Sequence, residues 1–263
     1  MTLDLGWFTA GRGPGSRGMF DGVLAAIDDG SLDARIGFVF MHRERGEGEA
    51  SDGFMDLAAS RGIPVESLSS ARFREEHGGD FAGHRAEYDA RVLELLHPHA
   101  ADICVLAGYL LILSPALLHA YPFVNLHPGA PDGPVGLWQD VIWKLIETGA
   151  RASGATVLLV TDELDRGPRI AYARFPIVGP PFDALRSEAA CRSVEELRAE
   201  GEAQPLFAAI REAGLRREPA LLTETLKSLA RGDVAVRGER VVDASGRSIE
   251  PRDLTAEVEA ALG

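Results

Sequence analysis

Apolar residues along the chain fall into short runs of strand length, separated by stretches in which they recur every three or four positions. The short runs have no regular polar alternation and lie at residues 3–9, 36–41, 64–68, 101–107, 123–126, 155–160 and 170–177. The spaced stretches predict helices at residues 19–27, 53–61, 84–97, 115–120 and 138–147. Apolar strands that alternate with helices are typical of parallel βαβ units covered on both faces. The pattern therefore predicts an α/β fold with a mostly parallel central sheet and helices on both faces.

The pattern changes after the Pro180-Pro181 pair, where charged residues become frequent. Residues 186–218 are charged and predicted to be helical, a further helix is expected at about 220–230, and residues 234–242 read as a small hairpin. This tail is too short to be a catalytic domain of its own, so we expect it to form an appendage. The two expected units are a catalytic α/β core and a C-terminal helical extension with a small β-hairpin, at residues 1–182 and 183–263.

The composition narrows the classes of function. The chain has 263 residues, with 27 Lys+Arg against 40 Asp+Glu and a formal net charge of −13. Nucleic acids and anionic membranes are bound largely through Lys and Arg, so we expect this chain to bind neither. Cys104 and Cys191 are too few for a disulfide framework or a zinc site. The sequence has no apolar run of membrane-spanning length and no signal-peptide pattern, so we expect a cytoplasmic protein that acts on small molecules without a metal.

A cluster of glycines follows the first predicted strand. Residues 13–18, Gly-Pro-Gly-Ser-Arg-Gly, match G-x-G-x-x-G between a strand and a helix, an arrangement that directs backbone N–H groups at a phosphate. A dinucleotide site would also need an acid at the end of the next strand, where this chain has His42 and Arg43. Arg43 would suit a 2′-phosphate. The segment is thus either a phosphate site or a tight turn without a ligand, and Ser16 is expected to cap the helix in both cases.

Asn125 and His127 alternate along the end of a predicted strand, so their side chains point the same way. The carboxyl end of a strand is where open α/β sheets place their ligands. An amide donor beside an imidazolium suits an oxygen that gains negative charge during a reaction. Asp165 precedes Arg-Gly-Pro in the acidic turn after a later strand, and a carboxylate there would orient the His127 ring if it approached it.

Two stretches, ADICVLAGYLLILSPALLHAYPFVNLHPGAP at residues 101–131 and GATVLLVTDELDRGP at 154–168, resemble the folate-dependent formyltransferases. The resemblance is greatest to the phosphoribosylglycinamide formyltransferases of purine biosynthesis. It implies a Rossmann-like formyltransferase fold. It also implies a catalytic trio, which falls on Asn125, His127 and Asp165.

The resemblance also implies binding residues. The substrate phosphate would contact Gly13, Gly15, Ser16 and Arg17. The folate would contact Arg85, Tyr109, Leu110, Leu113, Val160 and Asp162, together with main chain of residues 160–164. The substrate ribose would contact Glu218, with Glu200 and Glu202 as rival positions. The chain departs from the family at Leu111, where an arginine that contributes to folate binding is usual, and at an insertion over about 186–216.

The function implied is transfer of a formyl group from 10-formyltetrahydrofolate, as cosubstrate, to a primary amine of a phosphorylated substrate. Glycinamide ribonucleotide is the leading acceptor. The alternatives are another acceptor, such as an amino sugar nucleotide, hydrolysis of formyltetrahydrofolate, or an NADP-binding Rossmann protein without this chemistry. Transfer to initiator methionyl-tRNA is disfavoured because the chain is acidic. The expected assembly is a monomer or a homodimer.

Overall fold

The computed structural model describes residues 2–163 and 165–263 of the chain. The strands are β1 Leu3–Thr9, β2 Ala34–Met41, β3 Val65–Ser67, β4 Ile103–Leu106, β5 Phe123–His127, β6 Ala152–Leu159, β7 Arg169–Pro176, β8 Ala235–Arg237, β9 Arg240–Val242 and β10 Arg252–Asp253. The helices are α1 Pro14–Asp28, α2 Glu49–Ser60, α3 Ser70–Glu76, α4 Arg85–Leu96, α5 Pro115–Ala120, α6 Trp138–Glu147, α7 Phe182–Ala189, α8 Val194–Arg198, α9 Pro205–Ala230 and α10 Thr255–Leu262, with a 3₁₀ turn at Gly201–Ala203.

Eight of these strands form one sheet in the order β10-β7-β6-β5-β4-β1-β2-β3. Strand β6 is antiparallel to both of its neighbours, and the other pairs are parallel. The predicted mostly parallel sheet is therefore confirmed. In the sheet, β2 and β3 lie on one side of β1, and β4 and β5 lie on its other side. The carboxyl ends of β1 and β4 are thus a topological switch point, where sheets of this kind bind ligands.

Helices cover both faces of the sheet, as predicted. Trp7 and Phe8 are adjacent and fully buried, and because they alternate along β1 they enter different apolar clusters. The Trp7 cluster includes residues of α1, α2 and α9. The Phe8 cluster includes residues of α3, α4 and α5. Each face of the sheet is therefore sealed by its own set of helices.

The C-terminal region differs from its prediction. A single helix, α9, replaces the helices expected on either side of residue 219, and it runs through Pro219 without ending. The proline ring lies against Gly18 and Gly22 of α1, whose missing side chains leave room for it. No helix among the described residues has both the length and the apolar character needed to cross a bilayer.

The C-terminal extension packs closely on the rest of the chain. The leucines of α9 at 221, 222 and 226 are fully buried in the same cluster as α1, and β10 extends the main sheet beside β7. The predicted hairpin is confirmed as β8 and β9. The boundary at residue 182 stays a prediction, with extensive packing across it.

Candidate active site

The glycine segment after β1 forms a turn at the switch point. The hydroxyl of Thr9 donates to the carbonyl of Ala107 at 2.6 Å and accepts from the N–H of Gly11 at 3.0 Å, which ties the turn to the end of β4. Gly11 has φ of +65°, a conformation that favours glycine. Helix α1 begins directly after Gly13, and no side chain caps its first N–H groups. These N–H groups suit an anion.

Ser16 was expected to be the helix N-cap, and that prediction is wrong. Gly13 occupies the N-cap position, so Ser16 lies inside the first turn, where its buried hydroxyl donates to the Gly13 carbonyl at 2.9 Å. Its Cβ packs against Gly108, where an added Cβ would lie only 2.9 Å away. Ser16 therefore holds the turn against the segment that follows β4.

Two charged residues of α9 reach the glycine segment. A Cβ added to Gly15 would lie 3.3 Å from Nη2 of Arg211 and 3.6 Å from Oε2 of Glu218. Arg211 donates to Glu218 and stacks over the ring of Trp138 at 4.7 Å. Glu218 is only 3 % exposed, and burial raises its pKa, although the guanidinium of Arg211 opposes that rise. Arg17, by contrast, pairs with Asp21 along the half-exposed outside of α1.

Arg211 is a candidate that the sequence did not reveal, because only the docking of α9 onto α1 brings it to the glycines. Glu218, predicted as a ribose contact, lies beside the same segment, and that role stays a prediction. The rival positions have other partners: Glu200 pairs with Arg192, and Glu202 accepts from Gln139.

Asn125 and Asp165 meet at the carboxyl edge of the sheet. The amide Nδ2 of Asn125 lies 3.5 Å from Oδ1 of Asp165. Among the described residues other than glycine, Asp165 alone has a positive φ, at +54°. Gly167 secures this turn because a Cβ there would lie 1.8 Å from the carbonyl oxygen of Leu159. The turn therefore aims the carboxylate at the amide of β5.

His127 is held by the loop that follows it. Its side chain is buried, and Nε2 lies 3.2 Å from the carbonyl oxygen of Pro134. A carbonyl oxygen only accepts, so this contact assigns the proton to Nε2. In the part of the chain that the structure describes, the Asp165 carboxylate contacts Asn125, and the ring of His127 is oriented by Pro134 instead.

The residues predicted to contact the folate differ in how deeply they are buried. Tyr109 is only 7 % exposed in the apolar cluster of Phe8, and its hydroxyl has no hydrogen-bond partner among the described residues. Leu110 and Ile112 are exposed, by 66 % and 48 %, whereas Leu113 packs in the core. This segment therefore offers an apolar surface at Leu110 and Ile112, while the Tyr109 ring packs inward against Phe8 and His42.

The other predicted folate contacts lie at the start of α4 and after the end of β6. Arg85 is the partly exposed first residue of α4, and Asp89 of the same helix accepts from the N–H of Ser114. Val160 is bonded to β5 through its N–H, and Asp162 is exposed. Leu164, in the expected main-chain contact segment, lies outside the described residues.

Two of the cavities between described residues lie near this edge. The larger, of about 790 Å³, adjoins the loop after His127 and shares Gly129 and Pro134 with the surroundings of that ring. The smaller, of about 270 Å³, lies at the end of β2 beside His42 and Arg43. His42 is 7 % exposed, and burial lowers its pKa to about 4.

Comparison with known proteins gives consistent matches. Residues 14–196 match the family model described as formyl transferase. A phosphoribosylglycinamide formyltransferase of Escherichia coli K12 is 32 % identical over 125 residues, which cover 47 % of this chain and 54 % of that protein. A formyltetrahydrofolate deformylase of Bacillus subtilis is 36 % identical over 88 residues, covering 33 % and 29 %. The chain thus spans about half the length, or less, of these curated relatives.

The fold also matches a solved structure. The phosphoribosylglycinamide formyltransferase of Coxiella burnetii, in complex with CHES, superposes with a TM-score of 0.67 at 20 % identity. The superposition covers 96 % of this chain and 100 % of that one. The likeness extends through the C-terminal region, so α9 and its surroundings belong to the shared fold.

Proposed function

The chain belongs to the formyl transferase family, and from this premise we propose that it transfers a formyl group from 10-formyltetrahydrofolate to the primary amine of a phosphorylated acceptor. Glycinamide ribonucleotide, in purine biosynthesis, is the leading acceptor. The observation that carries the proposal is the contact of Asn125 with Asp165 beside His127, at the sheet edge that also carries the glycine segment.

The cosubstrate would supply a formyl carbon for the amine to attack and an oxygen that gains negative charge as it does so. The amide nitrogen of Asn125 carries two hydrogens. If one of these hydrogens is directed at Asp165, it fixes the plane of the amide. The second hydrogen is then free to bond the formyl oxygen. His127, in its protonated form, is a second donor. Asp165 is the group to accept the proton of the amine, directly or through a water molecule.

The position of the glycine segment supports a phosphorylated acceptor. In the strand order β5-β4-β1, His127 and Gly13 follow strands that are two positions apart. Neighbouring strands are about 5 Å apart, so the proposed amine site and the proposed phosphate site would lie about 10 Å from each other. The uncapped N–H groups of α1 and the guanidinium of Arg211 would bind the phosphate.

The surface around Tyr109 fits a folate. The exposed side chains of Leu110 and Ile112 suit an aromatic body. Leu111 lacks the positive charge with which the usual family arginine contributes to folate binding. Arg85 is the remaining predicted cation for that end of the folate.

An assay with 10-formyltetrahydrofolate tests the proposal. The protein is incubated with the cosubstrate and with glycinamide ribonucleotide, an amino sugar nucleotide, or no amine, and loss of the formyl group is followed by absorbance. We expect loss only when an amine is present, with a formylated product in the mass spectrum. Equal formate release without an amine would instead indicate hydrolysis, the reaction named for the deformylase relative. No loss under any condition would refute the proposal.

A further inference from the structure

A tryptophan on a neighbouring helix supports the guanidinium that lies at the glycine segment. Trp138 is the first residue of α6, and Cζ of Arg211 lies over its ring, 4.7 Å from the ring centre. The Trp138 ring is partly buried and packs against Phe207, which lies on α9 one turn before Arg211, with 5.8 Å between the ring centres. The indole is therefore fixed against the same helix that carries the arginine.

The two terminal nitrogens of Arg211 have different surroundings. Nη1 donates to the carboxylate of Glu218, whereas Nη2 lies beside Gly15, 3.3 Å from the position of an added Cβ. The arginine side chain is 22 % exposed. A guanidinium has five N–H donors in a fixed planar fork, so the bond to Glu218 leaves donors for a ligand. The donors of Nη2 are the ones that an anion at the start of α1 would meet.

The orientation of this guanidinium decides which charge is nearer to the glycine segment. A Cβ added to Gly15 would lie 3.3 Å from Nη2 of Arg211 and 3.6 Å from Oε2 of Glu218. The positive and the negative member of the pair are thus almost equally close to the start of α1. If the guanidinium turned away from Gly15, a phosphate there would meet the Glu218 carboxylate and be repelled by it.

An aromatic platform restricts that turning. A free arginine side chain has many rotamers, and the entropy lost when a ligand immobilises it weakens binding. The indole of Trp138 restricts Arg211 before a ligand arrives. It also attracts the cation through its ring face, and among aromatic residues tryptophan gives the strongest attraction of this kind. An aliphatic residue at this position would not provide the attraction of a ring face.

We propose that Trp138 is a positioning residue for phosphate recognition: its ring keeps Nη2 of Arg211 toward the glycine segment and so keeps positive charge at the start of α1. This inference rests on the proposed function and deepens it, because it assigns part of the affinity for the acceptor to a residue that acts through Arg211. It applies to an acceptor whose phosphate lies at the glycine segment, glycinamide ribonucleotide included.

Calorimetric titration with ribose 5-phosphate tests the inference independently of turnover. Trp138→Leu should raise the Kd of ribose 5-phosphate roughly tenfold, whereas Trp138→Phe keeps an aromatic face and should stay within about threefold of wild type. The Kd of tetrahydrofolate should be unchanged in both variants. Equal Kd values of ribose 5-phosphate for wild type and Trp138→Leu, or no binding to wild type, would overturn the inference. The expected pattern in a protein that transfers no formyl group would refute the proposed function alone.

Trp143→Leu is the matched control. Trp143 also lies on α6, packs against Phe207 at 4.9 Å and lies beneath a guanidinium, that of Arg198, at 5.3 Å. Arg198 pairs with Glu147 at the far end of α6, so this variant should leave the Kd of ribose 5-phosphate unchanged. If Trp138→Leu is unfolded by circular dichroism, Trp138→Met replaces it with the same expectation. An equal rise in Kd for the Trp138 and Trp143 variants would show a general loosening of α6 and refute the positioning role.

Discussion

The side-chain amide of Asn125 lies 3.5 Å from the carboxylate of Asp165, although forty residues separate the two in the chain. Asn125 stands on a central strand, and Asp165 stands in a turn beyond the next strand, with φ of +54°. Asp is among the residues that tolerate this left-handed conformation best. The proposed catalytic geometry therefore depends on the shape of one turn as well as on the sheet.

Removal of the Asn125 amide should lower kcat with little effect on stability. Because the amide is the proposed donor to the developing oxyanion, we expect Asn125→Ala to reduce kcat by roughly 10²–10³-fold. Steady-state formyl-transfer kinetics measure the change. Gln139→Ala removes an amide on α6 that bonds Glu202 outside the site and should retain full activity. Comparable kcat values for the two variants would contradict the role of Asn125.

Asp165→Asn tests the charge of Asp165 separately from its structural role in the turn. Asn has nearly the same shape as Asp and also tolerates a positive φ, so Asp165→Asn should keep the turn and the melting temperature. Loss of the proton acceptor should nevertheless lower kcat by about 10²-fold or more. Full activity in this folded variant would assign the proton transfer to another group.

Gly167 should be intolerant of any side chain. A Cβ there would lie 1.8 Å from the carbonyl oxygen of Leu159, so Gly167→Ala must displace the turn that carries Asp165. We expect a loss of about 1–3 kcal/mol in the free energy of unfolding, measured in urea, together with a fall in kcat. Gly53→Ala is the control, since open space surrounds Gly53 inside helix α2. That variant should gain up to about 1 kcal/mol.

The Arg211–Glu218 pair should matter for both stability and acceptor binding. Arg211→Met leaves the buried Glu218 carboxylate without its partner, which should cost about 3–5 kcal/mol in unfolding free energy. The double variant Arg211→Met/Glu218→Met should recover most of that loss. Its KM for the phosphorylated acceptor should still rise, because the phosphate has lost a cation. Arg216→Met, an exposed position on the same helix, should change neither quantity. Equal effects of Arg211→Met and Arg216→Met would contradict the assignment.

His42 should make the protein sensitive to acid. Burial lowers its pKa in the folded protein to about 4, from about 6.5 in the unfolded chain. Between these values the unfolded state binds a proton that the folded state does not, so stability is lost as the pH falls from 6.5 to 4. The loss amounts to about 3 kcal/mol.

Urea unfolding at a series of pH values checks this expectation. Relative to wild type, His42→Asn should lose about 3 kcal/mol less between pH 6.5 and pH 4. His119→Asn should follow the wild-type curve, because His119 is exposed. Parallel curves for wild type and His42→Asn would show that His42 is not held neutral by burial.

The features that could be predicted from the sequence are those that depend on residues close together in the chain. Asn125 and His127 could be found because they alternate at the end of a strand, and the sheet could be predicted from unbroken apolar runs. The N-cap prediction at Ser16 was wrong because Gly13 and Pro14 start the helix earlier than its apolar pattern. The proposed orientation of His127 requires the path of the loop to Pro134, which no spacing in the sequence specifies.

The parts of the site that the sequence did not reveal depend on tertiary packing. Arg211 reaches the glycine segment because α9 packs on α1, and α9 continues through Pro219, where local rules predict a break. A signal for this contact does exist: Gly15, Gly18 and Gly22 share a face of α1 by their spacing, which favours the close approach of another helix. Its partner helix could not be identified from that face alone.

The packing of Gly15 against α9 also determines when the glycine segment can complete its folding during synthesis. Gly15 lies in the first turn of α1, but Arg211 and Leu215, which cover it, are synthesised about 200 residues later. At cellular rates of translation, roughly ten seconds or more must pass between them. The nascent chain therefore carries the glycine segment without its cover until α9 has been made, and binding of a phosphorylated acceptor there would report that α9 has docked.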